Sequence, residues 1–408
     1  MNASVSSKTW RFLFYAVLVC GCVVSCKDES DAIRADVVQD ENFVNEDKIR
    51  EIMGGAAIIS RQSGRGGDRL FTKPIQEVRG MKDEQGKIVF YVINYAPTGF
   101  VVMSADNRAA PVLAFSEHDT FVLDESKFSS GLGNWVSYTK EYVKEIRRVD
   151  KDVTVAQLDQ WQFCPIEEVV YPDDVPCEEG GCQNISERVE PLLATAWGQG
   201  NGYNNATPII ENCTTYIGGH APTGCVATAM AQVMRYYSFP AWYNWATMPV
   251  IASFPFNSAG ENELSRLMSD IGVNVNMGYA CNASSATNEQ IAQTFVVDFG
   301  YAHADNIGYE GTGNYATVEN NLRWGQPVIF HGGRRTGTWP FYEFVDGHAW
   351  VGDGFNSYYD CQDGFTYLYF HMNWGWNGSN NGWYAFNNFN PDGNTFNYQS
   401  GVVVNIRP

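Results

Sequence analysis

The chain has 408 residues, of which 44% are hydrophobic and 14% aromatic, a composition typical of globular proteins and not of disordered ones. This length exceeds what one ordinary hydrophobic core accommodates, so we expect two domains with shorter flanking segments. The net charge of −19 argues against nucleic acid as a partner, because an acidic surface repels phosphate groups.

The N-terminus has the pattern of an export signal. Lys8 and Arg11 precede an apolar run over residues 12–24, which is shorter than the roughly 20 residues that a transmembrane helix needs. The next residues, Ser25-Cys26, resemble the cleavage site of a bacterial lipoprotein, in which the cysteine is lipidated. We predict a signal peptide over 1–25 and a lipid on Cys26, with an ordinary signal peptide cut nearby as the alternative.

This signal predicts an exported protein that is held at the bacterial envelope or cell surface. The lipid would be its sole attachment to a membrane, and removal of the N-terminal region during maturation would release it. The sequence leaves open whether the protein faces the periplasm or the outside.

A first domain follows, predicted over 26–164. The segment from Glu46 to Ile59 indicates a short helix. From Ile75 to Ser116 the hydrophobic period changes to two, which predicts strands, and turns separate three of them: Lys87–Asn94, Phe100–Ser104 and Val112–Ser116. Strands joined by short turns form an antiparallel meander.

An amphipathic helix and a linker complete this part of the chain. Residues of one helical face recur at alternating spacings of four and three: Trp135, Thr139, Tyr142, Ile146 and Val149. Residues 165–188 combine prolines, glycines and clustered acids, a composition typical of linkers, where proteolysis concentrates. We therefore predict a small α+β domain with an antiparallel sheet, a linker over 165–188, and a second domain over 189–408.

The ten cysteines leave an odd number outside the signal region. Cys20 and Cys22 lie in the signal and Cys26 is the lipidation candidate, which leaves seven: Cys164, Cys177, Cys182, Cys213, Cys225, Cys281 and Cys361. In an oxidising compartment at least one of these thiols stays free, and the pairing of the others is open. The sequence contains no CxxC, HExxH or calcium-loop pattern, so we predict neither a metal nor a cofactor.

Cys225 is the candidate nucleophile. It follows Pro222 and Gly224, which break any earlier helix, and precedes a stretch rich in Ala and Met, 226–237, that reads as a helix. A thiol at a helix start faces unpaired backbone N–H groups and the positive end of the helix dipole, which favour thiolate and lower the pKa. Taken alone, the segment also suits a buried core cysteine.

His348 is the candidate base. Gly347 beside it is small and leaves room for substrate, and the surrounding residues alternate as in a strand. A catalytic imidazole needs an orienting partner. Asn373 in the next predicted strand is suited to that role, and Trp374 would shield the contact from water. The alternative is a core histidine beside a tryptophan-rich hairpin.

Gln199 is a candidate for stabilising an oxyanion. Acyl transfer places negative charge on the carbonyl oxygen of the substrate, and hydrogen-bond donors must meet it. The backbone N–H of Cys225 is one such donor. The side-chain amide of Gln199, in a glycine-rich loop, is a second, although a lone glutamine in such a loop carries little information.

These segments, in this order, resemble the streptopain family of bacterial cysteine proteases, a branch of the papain-like fold. The matching strings are Gly198-Gln199-Gly200-Asn201, Gly219-His220-Ala221, Thr223-Gly224-Cys225-Val226-Ala227-Thr228-Ala229, Gly347-His348-Ala349 and Asn373-Trp374-Gly375-Trp376. Ordered blocks over so long a stretch are specific where any single block is weak. The first domain, with Gly99-Phe100-Val101-Val102, resembles the propeptide of the family.

The resemblance implies an α+β fold: a papain-like catalytic domain of two subdomains behind a smaller prodomain. Its helical half would carry Cys225 and its sheet half His348, with the cleft between them. Cys225 would attack the peptide carbonyl, His348 would transfer the proton, and Gln199 would contribute to the oxyanion hole. Trp374 would cover the histidine.

The resemblance also implies roles for three further residues. Asn373 matches an asparagine that the family does not use quite as papain relatives do. Gly347 would offer backbone hydrogen bonds to substrate. Ser285 lies in a loop that aligns with the substrate-pocket loop of the family, but the loop sequence departs from the family pattern, so subsite preference stays open.

The predicted partners are protein or peptide substrates and the chain's own propeptide, which would inhibit the enzyme until the linker is cut between Pro165 and Val189. Two other functions remain open: a catalytically silent surface-binding lipoprotein on a protease fold, and a cell-wall peptide amidase or transferase. A free-standing inhibitor is excluded because a complete second domain is present.

Overall fold

The computed structural model describes residues 40–53, 58–60, 69–71, 73–125, 130–149, 161, 185–308, 314–338, 341–360, 365–385 and 398–408. The chain divides into two compact units, Met1–Asp40 and Glu41–Pro408, and every element below belongs to the second. The predicted signal peptide 1–25, Cys26 and the linker residues 165–184 lie outside the described residues, as do Cys164, Cys177, Cys182 and Cys361. Within the described ranges, no helix combines the length and hydropathy needed to cross a bilayer.

In the first part of the second unit, the described residues include two helices and six strands with assigned bounds. In chain order they are α1 (Glu46–Met53), β1 (Ile58–Ser60), β2 (Arg69–Phe71), β3 (Ile75–Lys82), β4 (Ile88–Tyr95), β5 (Phe100–Ser104), β6 (Val112–Ser116) and α2 (Ser130–Val149). The strands β5 and β6 have the predicted bounds, and β4 lies one residue later than predicted. α2 includes the whole predicted apolar face.

The helix predicted over Glu46–Ile59 is wrong at its C-terminal end. α1 ends at Met53, and Ile58 and Ile59 belong to strand β1. Gly54 and Gly55 follow α1 directly, and glycine weakens a helix because its backbone loses more conformational entropy on ordering. Ile58 and Ile59 therefore do not extend the helix.

The second part begins with strand β7 (Ile185–Val189), which starts inside the predicted linker. Three helices follow: α3 (Cys225–Tyr237), α4 (Ala259–Asn274) and α5 (Gln290–Val297). The remaining elements are β8 (His303–Gly308), α6 (Asn314–Arg323), β9 (Val328–Thr338), β10 (Phe341–Asp360), β11 (Phe365–Asn373), β12 (Gly382–Ala385) and β13 (Tyr398–Arg407).

One antiparallel sheet of 11 strands spans both parts of the chain. Its strand order is β3-β4-β5-β6-β12-β11-β10-β9-β13-β8, with β7 paired to β10. The sequence predicts a separate small sheet for the first domain. Instead, β6 pairs with β12 through the partners Phe115↔Trp383 and Ala114↔Tyr384, so the sheet of the first part continues into that of the second.

Helices cover the two faces of the central strands. α2 packs on one face, in a core that includes Phe330 and Met372. α3, α4 and α5 pack on the other face, against Ile329, Val351 and Val403. Because neighbouring residues of a strand point to opposite faces, β9 and β10 contribute side chains to both cores.

A buried carboxylate joins the β5–β6 turn to α2. Asp106 is fully buried, and its two oxygens accept hydrogen bonds from Nε and Nη2 of Arg108, each at 2.8 Å. Nε of Arg147 in α2 donates a third at 3.2 Å. A charge removed from water in this way is stable only while its partners remain in place.

We expect Asp106→Ala to lower the free energy of unfolding of the full chain by about 3–5 kcal/mol, because it removes the carboxylate that neutralises Arg108 and Arg147. Denaturant titration measures this. The matched control is Glu125→Ala, which breaks the exposed ion pair with Lys140, 2.9 Å long, and should cost about 1 kcal/mol or less. Equal effects of the two substitutions would contradict the expectation.

Candidate active site

Helix α3 begins at Cys225, at the position that the sequence predicts for the helix start. Gly224 before it has a φ of 86°, a conformation that favours glycine. A Cβ there would also lie 2.7 Å from Sδ of Met277 and 3.1 Å from the carbonyl oxygen of Ser284. Cys225 itself is half-buried, and it is the free cysteine among the described residues.

The loop that carries Gln199 is fixed against the start of α3. The backbone N–H of Thr223 donates to the carbonyl oxygen of Gln199 at 2.9 Å, and the hydroxyl of Thr228 donates to the carbonyl of Gly198 at 3.4 Å. A Cβ on Gly198 would lie 2.6 Å from Oδ1 of Asn377, so the loop also fits closely against the segment after Trp374.

His348 lies within β10, directly after a register shift between Val345 and His348. The side chain is 1% exposed. Its ring stacks on Trp350, with centroids 5.9 Å apart and planes inclined by 14°, and Nε2–H donates to the carbonyl oxygen of Trp374 at 3.4 Å. His348 and Trp350 therefore share one face of β10, whereas Ala349 packs on the face of α3.

Burial shifts both candidate catalytic groups toward their neutral forms. It raises the pKa of the Cys225 thiol, an effect opposed in part by the backbone N–H groups of Ala349, Val226 and Cys225. Burial lowers the pKa of His348 to about 4. The net shift of the thiol is opposite to the one predicted from the helix start, because desolvation outweighs the N–H groups.

A chain of aromatic rings leads from α2 to this histidine. Trp135 of α2 meets Tyr384 of β12 with ring centroids 4.7 Å apart. Tyr384 lies 5.0 Å from Trp374, and Trp374 lies 5.3 Å from Trp350, on which His348 stacks. The first part of the chain thus contacts the candidate base through packed side chains.

Asn380 forms a second connection of this kind. Its side-chain oxygen accepts a hydrogen bond from the backbone N–H of Val122, in the first part of the chain, at 2.8 Å. Its carbonyl oxygen accepts from Nε1 of Trp374 at 3.0 Å and from the hydroxyl of Tyr384 at 2.6 Å. One residue therefore contacts both the first part and the tryptophan predicted to shield the histidine.

Asn373 is buried, and its amide is fully engaged by groups other than His348. Nδ2 donates to the carbonyl of Thr195 at 2.8 Å and to Oε1 of Gln232 at 3.2 Å. Oδ1 accepts from Nε2 of Gln232 at 3.2 Å and from the backbone N–H of Gly375 at 3.3 Å. An amide offers two donors and two acceptor sites, so these four bonds use its capacity.

The two predicted substrate-binding residues, Gly347 and Ser285, belong to different segments of the chain. Gly347 is exposed beside the histidine. Ser285 is also exposed, and its backbone pairs with Gly278 in both directions at 2.8 and 3.1 Å. The neighbouring Ser284 donates its hydroxyl to the carbonyl of Pro222 at 2.7 Å, which holds this loop against the segment before Cys225.

A disulfide between Cys213 and Cys281 links that loop to the long segment between Gln199 and Cys225. The sequence left this pairing open, since nothing local brings together two cysteines 68 residues apart.

Sequence reasoning also missed three polar or aromatic residues near the site. Gln232 is fully buried on α3, Trp350 stacks on the histidine, and Asp353 is buried with an oxygen 2.6 Å from Nδ1 of His371. Trp350 is two residues after His348 in a predicted strand, a spacing that places both on one face. No cluster of His, Cys, Asp and Glu side chains in the described ranges is arranged to hold a metal ion.

Comparison with known proteins decides the class of the protein. The Peptidase C10 family model matches residues 197–242 and 241–384, and the Spi protease inhibitor model matches residues 56–143. The chain is a streptopain-like cysteine protease with a propeptide. We refer to residues 41–149 as the prodomain and to residues 185–408 as the catalytic domain of this protease.

Two related proteins align with most of the chain. Streptopain of Streptococcus pyogenes serotype M1 is 27% identical over 368 residues, which cover 78% of this chain and 80% of streptopain. The thiol protease/hemagglutinin PrtT of Porphyromonas gingivalis is 27% identical over 364 residues, 80% of this chain and 38% of PrtT.

A solved structure, that of a Prevotella intermedia prointerpain A fragment, matches the fold. Its TM-score is 0.57 at 24% identity, over 81% of this chain and 99% of the fragment. The predicted α+β papain-like fold, the cysteine-type endopeptidase and the inhibitory propeptide of a zymogen are confirmed.

We expect the imidazole of His348 to stay neutral in the full chain until the pH falls to about 4, because burial disfavours its charged form. An NMR titration of labelled histidines measures this. Between about pH 6.5 and 4 the unfolded chain then binds one more proton at this residue, so unfolding becomes easier as the pH falls, by about 1.4 kcal/mol per pH unit.

The control for this pH dependence is His348→Gln, which removes one titrating group. Two other groups with shifted pKa values stay in place: burial lowers the pKa of His331 to about 4 and raises the pKa of Asp119 to about 6. The variant should lose less stability over the same range. An identical pH dependence in both proteins would count against the expectation.

Proposed function

We propose that this protease is an exported zymogen in which Cys225 is the nucleophile and His348 the general base. The observation that carries the proposal is the packing of three segments in one place: the start of α3, the Gln199 loop and β10 lie against one another. The Thr223–Gln199 hydrogen bond of 2.9 Å and the packing of α3 on β10 support it. The backbone N–H of Ala349, the residue after His348, faces the thiol.

In the proposed mechanism His348 takes the thiol proton, and the Cys225 thiolate attacks the carbonyl carbon of the peptide bond. The negative charge moves to the carbonyl oxygen, where the Cys225 backbone N–H and the Gln199 side-chain amide donate hydrogen bonds. The imidazolium of His348 then protonates the leaving amine, and a thioester remains on Cys225.

Water completes the cycle. His348 removes a proton from a water molecule, which attacks the thioester carbon, and the tetrahedral intermediate collapses to release the carboxylic acid product. The sulfur leaves as thiolate, so thiolate and imidazolium are restored. Gly347, exposed beside the base, is positioned to bind the substrate backbone, and the Ser285 loop forms a wall near Cys225.

In this proposal the full chain is silent because the imidazole lies on the face of β10 that is opposite to α3, the helix of the thiol. Both groups are shifted toward neutral forms, and the imidazole stacks on Trp350 on the face of β10 that carries α2. Removal of the prodomain takes Trp135 away from Tyr384 and Val122 away from Asn380. We propose that this loosens the Trp374 and Trp350 contacts and lets the imidazole turn toward the thiol.

The activating cut falls before β7 in this proposal. Glu187 holds Arg323 of α6 through two contacts of 2.6 Å, and the guanidinium of Arg188 lies 4.6 Å from the Trp383 ring centroid. β7 also pairs with β10 from Val189↔Phe355 to Ile185↔Tyr359. A cut inside β7 would remove a strand from the catalytic domain, so the mature enzyme begins at or before Ile185.

The N-terminal region supports export. Residues 1–25 have the pattern of a signal peptide, and Cys26 follows it at the position of a lipidated cysteine. We propose that the precursor is anchored by a lipid on Cys26 and that the cut before β7 releases the catalytic domain.

Peptide hydrolysis under reducing conditions tests the catalytic assignment. We expect Cys225→Ala to abolish hydrolysis and Gln199→Ala to lower kcat by about 10²–10³, because it removes one oxyanion donor. The matched control, Gln326→Ala after α6, should retain wild-type rates. Undiminished hydrolysis by Cys225→Ala would refute the proposal, and cleavage of peptidoglycan fragments but not of casein would favour a cell-wall substrate.

Mass spectrometry of N-termini tests the processing assignment. After activation we expect the first residue of the mature enzyme to lie between 165 and 185, and the precursor made in cells should begin at an acylated Cys26. A mature enzyme that starts within or after β7 would contradict the first expectation, and an unmodified Cys26 the second. Cys225→Ala shows whether the cut depends on the enzyme's own activity.

A further inference from the structure

Gln232 is a buried amide on the helix of the nucleophile. It lies on α3 about two turns after Cys225, and none of its surface is exposed. The residues around it on the buried face of α3 are mostly apolar. A glutamine is rarely buried completely, and one that is must have its hydrogen bonds satisfied by the protein.

One oxygen of Gln232 accepts three hydrogen bonds. Oε1 accepts from the backbone N–H of Trp197 at 3.1 Å, from the hydroxyl of Thr195 at 3.1 Å and from Nδ2 of Asn373 at 3.2 Å. Nε2 of Gln232 donates to Oδ1 of Asn373 at 3.2 Å, so the two amides pair reciprocally.

These partners belong to separate pieces of the site. Thr195 and Trp197 lead into the Gln199 loop, and Asn373 ends β11 directly before Trp374. α3 carries Cys225 at its start. The Gln232 amide is therefore hydrogen-bonded to the two segments that carry the predicted oxyanion donor and the predicted shield.

We propose that Gln232 is a positioning residue of this protease: its amide fixes the nucleophile helix, the Gln199 loop and the Asn373–Trp374 strand end relative to one another. The inference rests on the proposed roles of Cys225 and Gln199. Asn373 acts within it as the second half of an amide pair, and not as the orienting partner of His348.

The relative placement of these three segments matters because the rate of acyl transfer depends on the distances between the reacting groups. A misplacement of about 1 Å between nucleophile, substrate carbonyl and donor costs about 10²-fold in rate. Gln232 touches neither substrate nor the reacting atoms. Its loss should therefore lower kcat and leave KM nearly unchanged, since the walls that bind substrate keep their contacts.

The sharpest test is Gln232→Glu. A protonated glutamic acid keeps the acceptor oxygen and supplies an O–H donor to Asn373, so it reproduces the amide pair. An ionised carboxylate has no donor and places a charge against Oδ1 of Asn373. Burial raises the pKa of a carboxyl group, so the change from one form to the other falls within an accessible pH range.

We expect the ratio of variant to wild-type kcat to stay near one at low pH and to fall by about tenfold or more as the pH rises. Division by the wild-type kcat removes the effect of the ionisations that both enzymes share. A ratio that does not change with pH would overturn the proposal.

A matched control separates positioning from general destabilisation by a buried charge. Asn321 of α6 is 4% exposed and pairs with Asn405 through hydrogen bonds of 2.6 and 3.4 Å, away from Cys225. Asn321→Asp should lower the melting temperature as the pH rises and leave the kcat ratio flat. If its kcat ratio follows that of Gln232→Glu, the effect is one of stability and the proposal fails.

Gln232→Met, Asn373→Leu and the double variant provide a second measurement. Each single change leaves a buried amide without its partner, whereas the double change removes both. If the pair acts as a unit, kcat of the double variant is no lower than that of either single variant. Multiplicative losses would contradict the proposal.

Two further outcomes are decisive. If no Gln232 variant folds while Asn321→Asp does, Gln232 is a structural residue and the proposal falls. If Cys225→Ala hydrolyses peptide as wild type does, the proposed function fails, and that result is independent of every Gln232 measurement.

Discussion

The contact between Trp135 of the prodomain and Tyr384 of the catalytic domain is the constraint on which the proposed silent state depends. It begins a continuous row of rings that ends on His348, and it sits where β6 continues the catalytic sheet through β12. Aromatic pairs in edge-to-face contact contribute about 0.5–1.5 kcal/mol each beyond the area that they bury. In the proposed mechanism the prodomain inhibits by completing the core under His348, besides adding strands to the sheet.

Burial explains why helix geometry alone does not produce a reactive thiol. The start of α3 supplies N–H groups that favour thiolate, but the low polarity around Cys225 disfavours any charge and outweighs them. The same loss of hydration lowers the pKa of His348 and keeps its imidazole neutral. A thiolate and an imidazolium stabilise each other only when they approach. Movement of the imidazole would thus change both ionisation states together, and activation would be an electrostatic event as well as a steric one.

Local sequence patterns predicted the elements whose structure depends on residues close by in sequence: β5, β6 and the start of α3 at Cys225. Ordered motifs predicted the candidate site residues, and their catalytic roles stay a prediction. The face on which His348 lies was not predictable, because the register shift after Val345 interrupts the alternation of β10. The burial of Gln232 was also not predictable, since a glutamine in a helix ordinarily faces solvent and its burial depends on partners far away in sequence. The β6–β12 pairing is likewise long-range.

The Cys213–Cys281 bridge sets a condition on the surroundings in which this enzyme works. The bridge holds the loop beside Cys225 when it is oxidised, whereas Cys225, the proposed nucleophile, must be reduced to react. A strongly reducing milieu would free the loop, and a strongly oxidising one would block the nucleophile. Under the proposed mechanism, full activity would therefore require intermediate redox conditions, in which the bridge persists and the thiol stays reduced.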